Sequence, residues 1–195
     1  MNTTEIKLKG IINSFDDLYK YAKKQFLEYE KLEGIDDWEE YSFSIDCAQD
    51  QMKFKDMLQI RCIEELTEAT HALDNEEHFW EEVTDALNFF LSAYCMLDVD
   101  FNKFTRPQFL LNKNFPKLKP ELFTCSILFY KIINDIGDLC NLLKNRPWAQ
   151  SNYLVSMLDF DKRLNTLWNT FWTVLAQLNV KEEQLFELFE RKYLV

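Results

Sequence analysis

Apolar residues recur at three- and four-residue intervals along most of this chain, the spacing of one face of an α-helix. Phe15, Leu18, Tyr19, Ala22, Phe26 and Tyr29 keep that period behind Ser14 and Asp17, a pair suited to capping a helix start. Gly34 closes the segment. The pattern predicts a helix over 15–32, a loop over 35–44 with a turn of helix about Trp38, and a long helix over 45–73 that breaks at Asp74-Asn75. The next predicted helix, 77–97, is apolar almost all round and so belongs in the interior. Pro107, Pro116 and Pro120 mark 98–120 as the main irregular connection. Further helices are predicted over 121–144, ended by Arg146-Pro147, over 152–178, and from Lys181 onward. No segment alternates convincingly with the period of a strand. Together these segments imply a single all-α domain over 1–195, a bundle of about five to six helices.

Two of the predicted hairpins resemble each other. In the segment from Ile133 to Leu139, Asp135 and Asp138 stand where Glu65 and Glu68 stand after Ile63. Leu178-Asn179-Val180 matches Leu97-Asp98-Val99, and Trp148 follows its acidic pair much as Trp80 follows the other. In that register Asn169 falls on Asn88, whereas Arg163 and Thr166 fall on Glu82 and Asp85. A degenerate duplication is expected, with a metal-competent hairpin over 45–98 and a second over 121–180 that has lost one acidic pair. Chance likeness between two amphipathic hairpins is the alternative.

Composition narrows the function. With 195 residues and 47% hydrophobic content the chain can build a real core. Only 3 glycines and 4 prolines favour long helices over many short strands. A net charge of −11 and the absence of any basic run disfavour a long nucleic acid as partner, though not a nucleotide screened by metal ions. The longest nearly apolar run, 87–97, is too short to span a bilayer. Five scattered cysteines (Cys47, Cys62, Cys95, Cys125, Cys140) form no C-x-x-C pair, which suits buried free thiols and a reducing cytoplasm. The N-terminus is too polar for a signal peptide.

The candidate chemistry lies in the first hairpin. Glu65 and Glu68 are three residues apart, as are Glu82 and Asp85, so each pair shares a helix face. The interval between Glu68 and Glu82 allows a tight turn between antiparallel neighbours. Four carboxylates would then converge, and such a cluster calls for hard cations such as Mg²⁺. A lone E-x-x-E is ordinarily solvated surface, but Asp85 and Asn88 sit among Val83, Ala86, Leu87, Phe89 and Phe90, where a buried charge needs a partner. A di-iron bundle is a weaker fit. Glu68 and His71 have the E-x-x-H spacing, but the motif is needed twice and His78 lacks its glutamate.

These residues resemble a family. Glu64-Glu65 with Glu68, then Glu82 and Asp85 with Asn88 three residues on, is similar to the all-α nucleoside triphosphate pyrophosphatases. That group includes the MazG-type enzymes, the dimeric dUTPases and the phage dCTPase/dUTPases. The likeness covers 59–98 and extends weakly to the turn at Lys144-Asn145-Arg146-Pro147-Trp148 and to the last helix. The doubled, half-degenerate hairpin is closest to the dimeric dUTPase branch. The resemblance implies Mg²⁺-dependent hydrolysis of dUTP or dCTP to the monophosphate and pyrophosphate. Glu65, Glu68, Glu82 and Asp85 would ligate about two or three Mg²⁺ ions, with Mn²⁺ as a substitute. Glu65 would also orient or deprotonate the attacking water, and Asn88 would bind sugar or phosphate. Lys144, Arg146, Arg191 and Lys192 would supply cationic help, although the family's asparagine and Arg-Gln positions beyond the lysine at Lys192 are missing here. Gln25 would read the base, with Trp38, Phe79 or Trp80 as stacking candidates. A homodimer is implied. The alternatives are a broad MazG-like house-cleaning pyrophosphatase and a non-catalytic helical binding protein on the same scaffold.

Overall fold

The computed structural model describes residues 12–32, 43–113, 115–143 and 156–193, and every regular element among them is helical. Helix α1 (Phe15–Leu32) has the predicted bounds. Its start is closed by Ser14, whose hydroxyl accepts from the Asp17 backbone N–H at 3.1 Å and donates to the Asp17 carboxylate at 2.8 Å. Phe15, Leu18, Ala22 and Phe26 are buried along its inner face, while Tyr29 stands exposed.

The predicted long helix is one rod in three pieces: α2 (Ala48–Lys55), a π-helical stretch (Asp56–Cys62) and α3 (Ile63–His71). It starts later than the periodicity predicts, because Ser44 to Cys47 form a turn closed by a 2.9 Å backbone bond. The π stretch has a cause in the sequence. The buried residues Phe54, Leu58, Cys62 and Leu66 recur every fourth position. At 3.6 residues per turn that row would drift off the core, and the wider i→i+5 turns keep it facing inward.

Asn75 ends the break and caps α4 (Glu76–Met96), accepting from the His78 backbone N–H at 3.3 Å. The irregular connection then holds a 3₁₀ turn (Phe101–Lys103) and α5 (Pro107–Leu111), with proline at a first-turn position. Helices α6 (Leu122–Leu142), α7 (Met157–Gln177) and α8 (Glu182–Tyr193) complete the described elements.

α4 is the centre of the bundle. It is buried over most of its length, with α3 and α1 packed along it and α8 laid across it. α6 and α7 form the second hairpin. The two halves meet through aromatic rings: Phe90 stacks on Phe171 at 4.1 Å, and Phe15 meets Trp172 edge-on at 5.2 Å. A fully buried phenylalanine contributes roughly 1.5–3 kcal/mol. Two polar ends inside this cluster are partnered, whereas the Trp172 indole N–H and the Tyr19 hydroxyl are buried without a hydrogen-bond partner. Tyr94 donates its hydroxyl to the Leu164 carbonyl at 2.7 Å, and the Trp168 indole N–H to the Thr105 carbonyl at 2.8 Å. Four of the five thiols are buried, and burial pushes Cys95 and Cys140 up to about 12. Cys47 departs from its expected helical setting and sits half-buried at the cap of α2. No helix among the described residues is long and apolar enough to cross a membrane.

α4 and α7 are both 21 residues long and end in the same turn. Asp98 and Asn179 take left-handed φ values of 48° and 63°. The next residue in each case bonds back into the helix: Val99 to the Tyr94 carbonyl and Val180 to the Leu175 carbonyl. The tripeptide likeness noted in the sequence is therefore a likeness of backbone shape. Because only residues tolerant of positive φ suit this position, Asn179→Ala should lower stability by about 1 kcal/mol while Asn179→Gly leaves it unchanged or raises it by a few tenths. Urea unfolding of the two variants beside the wild type measures the difference.

Candidate metal centre and adjoining cavity

The short break between α3 and α4 turns the chain back on itself, and the facing sides of the two helices carry acids. Glu65 from α3 and Glu82 and Asp85 from α4 bring carboxylate oxygens within 4.8 Å of one another. Glu82 is buried and the other two are half-buried. Like charges at this distance cannot all ionise without a counter-charge. Burial pushes the Glu65 carboxyl up to about 8, helped by a carboxyl hydrogen bond with Glu82 and by the charges of Asp85, Glu82 and Glu68. At neutral pH Glu65 therefore holds a proton facing Glu82.

Cations already border the group. Lys192 on α8 forms a salt bridge with Asp85. Its neighbour Arg191 bridges Glu77 at 2.6 Å and Glu81 at 3.0 Å, so the last turn of α8 is fastened to the acidic side of α4. His78 Nδ1 lies 3.1 Å from Glu82. Glu68 stands outside the trio. It is exposed on α3, yet close enough for its charge to act on Glu65. His71 is exposed and does not join the cluster, which leaves the E-x-x-H spacing without a convergent second half. Three hard oxygen donors fit Mg²⁺ or Mn²⁺ and not a soft metal.

The acids open onto a cavity of about 470 Å³. Glu65, Asp85, Asn88 and Lys192 form its polar side, and Phe26, Met57 and Phe89 its apolar side. Asn88 is 5% exposed, and its side-chain carbonyl oxygen has no hydrogen-bond partner. Such an oxygen costs free energy unless something in the cavity donates to it. Ser92 and Glu30 add further polar groups, and Glu30 is held by Lys53 at 2.7 Å. The π stretch contributes Asp56, Met57 and Arg61 to the wall. Single-turn π features of this kind often accompany functional sites.

Several predicted residues stand elsewhere. Gln25 is half-buried and does not line the cavity. The face of α1 that does is Phe26, Tyr29 and Glu30, the i, i+3, i+4 set one position on. Phe79 and Trp80 are core residues, edge-on to each other at 4.9 Å. Trp80 borders a separate groove with Glu76, Gln184 and Arg191. Trp38, Lys144, Arg146 and Trp148 lie outside the described residues. Arg61, Glu30 and Phe89 were not singled out from the sequence. A charged residue at a position of the buried face of α1 was the one available signal for Glu30.

The second hairpin engages its acids with side chains of α7. Arg163 pairs with Asp138 at 2.8 Å, and the Thr170 hydroxyl donates to Asp135 at 2.5 Å. Asn169, the counterpart of Asn88, also has an unpartnered side-chain oxygen. No family model, curated protein or solved structure matches the chain.

The raised Glu65 carboxyl fixes a pH dependence. The folded protein holds a proton that the unfolded chain releases near 4.5, so the contribution of Glu65 to stability is fully present below that pH and is lost as pH rises through about 8. Thermal melts of the metal-free protein across that window should show the fall. Glu65→Gln should flatten it.

Proposed function

We propose that the protein is a Mg²⁺-dependent nucleoside triphosphate pyrophosphatase acting on a pyrimidine deoxynucleotide, dUTP or dCTP. The observation that carries this reading is Asn88, a buried residue that lines the same cavity as Glu65 and Asp85 and whose amide oxygen has no hydrogen-bond partner. Acids alone are ordinary on a helix, but acids beside an unsatisfied polar group and an apolar chamber make a site for a ligand with both phosphate and ring. A sugar hydroxyl donating to Asn88 would satisfy it, the base would lie toward Phe26, Met57 and Phe89, and the phosphates toward the acids. A volume of about 470 Å³ suits one small ligand.

When bound, Mg²⁺ would neutralise charge on the phosphate oxygens and make nearby water more acidic. Glu65, Glu82 and Asp85 are the residues that would hold it. With a cation bound, Glu65 would lose the proton that it holds in the metal-free protein, and the freed carboxylate would then accept the proton that water loses as its oxygen bonds to the α-phosphorus. The bond from that phosphorus to the bridging oxygen breaks, and pyrophosphate leaves with the electron pair. Lys192, displaced from Asp85, donates to the departing phosphates, and Arg61 is the other cation within the cavity wall.

Pyrophosphate release from a panel of dUTP, dCTP, dTTP, dATP and dGTP, with and without Mg²⁺, tests the proposal. Release should require the metal and favour dUTP or dCTP. Equal rates on all five would make the enzyme a broad house-cleaning pyrophosphatase, and no release from any would defeat the reading. Glu65→Gln should lower turnover by at least about 10³-fold with the helical circular dichroism unchanged. Lys192→Met separates two roles of one side chain. It should tighten Mn²⁺ binding, since the competing ammonium is gone, yet reduce kcat/KM by roughly 10-fold or more.

A further inference from the structure

The buried face of α1 runs Phe15, Tyr19, Ala22, Phe26 and then Glu30. Helical spacing calls for another apolar side chain at that last position. Glu30 is instead a carboxylate only 3% exposed, held by the Lys53 ammonium at 2.7 Å. Such a pair returns little stability against the cost of burying the charge. Of the acids that line the chamber, Glu65 and Asp85 belong to the trio, and Asp56 is exposed beside Arg61 at 3.7 Å. Glu30 is the buried acid of that lining which the metal chemistry does not use.

Its partner and its neighbours place it along the chamber. Lys53 precedes Glu65 by twelve residues on the rod. Ser92, which also lines the chamber, follows Asp85 by seven residues on α4, about 10 Å along the helix axis. These positions put Glu30 at the end away from the acidic trio. The interval matches the span from the α-phosphorus of a nucleotide to the outer edge of its base. Phe26, one turn before Glu30 on α1, gives apolar surface next to it.

We infer that Glu30 selects the base, and that it selects a pyrimidine with an amino group at its outer edge: cytosine before uracil. This rests on the reading of the cavity as a nucleotide site. As the acid of a salt bridge, Glu30 accepts hydrogen bonds and donates none. Lys53 is bonded at Oε2, and a carboxylate has capacity for more than one donor. The 4-amino group of cytosine donates well to such a group. Uracil carries an oxygen at the same place, which sets two acceptors against each other. A shift that offers the N3–H of uracil instead brings its two flanking carbonyl oxygens toward the same negative charge. An amide, such as that of Gln25, can turn over to serve either base, whereas a carboxylate has no second setting.

Calorimetric titration of the full chain, in Mg²⁺, with three monophosphates tests this: dCMP, dUMP and the deoxynucleotide of pyrimidin-2-one, which lacks the 4-amino group. dCMP should bind roughly 10- to 100-fold more tightly than either of the others. In Glu30→Gln the preference should fall to near parity. A residue that only tied α1 to α2 would change the melting temperature on substitution and leave the preference intact. A wild type that binds dUMP as tightly as dCMP, or binds none of the three, overturns the inference. So does a preference that survives in the folded variant. The wild-type comparison decides the matter even where Glu30→Gln fails to fold. Binding needs no turnover, so a chain that prefers dCMP yet releases no pyrophosphate from any triphosphate would keep Glu30 as the base selector and lose the hydrolase.

Discussion

Helix α4 has almost no solvent face, so every polar side chain on it must be satisfied by a neighbouring element or by something the bundle admits. The helix meets this demand residue by residue. Thr84 returns its hydroxyl to the Trp80 carbonyl. Glu82 is met by His78 and by the proton on Glu65. Asp85 is met by Lys192 from the far end of the chain. At Asn88 the demand is left open on the oxygen side, and there the fold holds a chamber. The acidic trio and the cavity are therefore two consequences of placing a polar-bearing helix at the middle of the molecule.

The second hairpin shows the same scaffold relieved of that tension. Its helix α7 keeps the length, the terminal turn and the unpartnered asparagine of α4, but an arginine stands at the register of Glu82. The guanidinium fixes Asp138 and the Thr170 hydroxyl fixes Asp135. Charge supplied by a side chain is permanent, whereas a gap between carboxylates is open to exchange. This contrast leaves the convergent carboxylates in the first hairpin and side-chain-paired acids in the second.

Much of this was legible in the chain. The caps at Ser14 and Asn75, the break before α4 and the two left-handed helix ends are local, and each is written in two or three residues. The convergence of Glu65, Glu82 and Asp85 was also readable, because a short turn between two periodic segments leaves them few other arrangements. What escaped depends on distant partners. No local signal brings Lys192 to Asp85 across the fold, or turns the Phe26, Tyr29 and Glu30 face of α1 toward α4 in place of Gln25. Trp80 is a stacking candidate in the sequence although a core place is the commoner one for tryptophan, and the core is where it lies. The π stretch was encoded, in the four-residue recurrence from Phe54 to Leu66, but that row passes for an ordinary helical stripe unless its drift is followed over several turns.

That π stretch gives the first hairpin an unusual tolerance of chain length. Turns closed by i→i+5 bonds hold about one residue more than ordinary α-helix needs over the same span, so removing one residue between Asp56 and Cys62 would let the rod relax into α-helix. The part beyond the deletion would keep nearly its former facing, and Glu65 would stay opposite Glu82. The loss would fall on the wall of the cavity, to which the stretch gives Asp56, Met57 and Arg61. A deletion at Ile63 or Glu64, in ordinary helix, has no such slack and would turn Glu65 by about 100° away from Glu82.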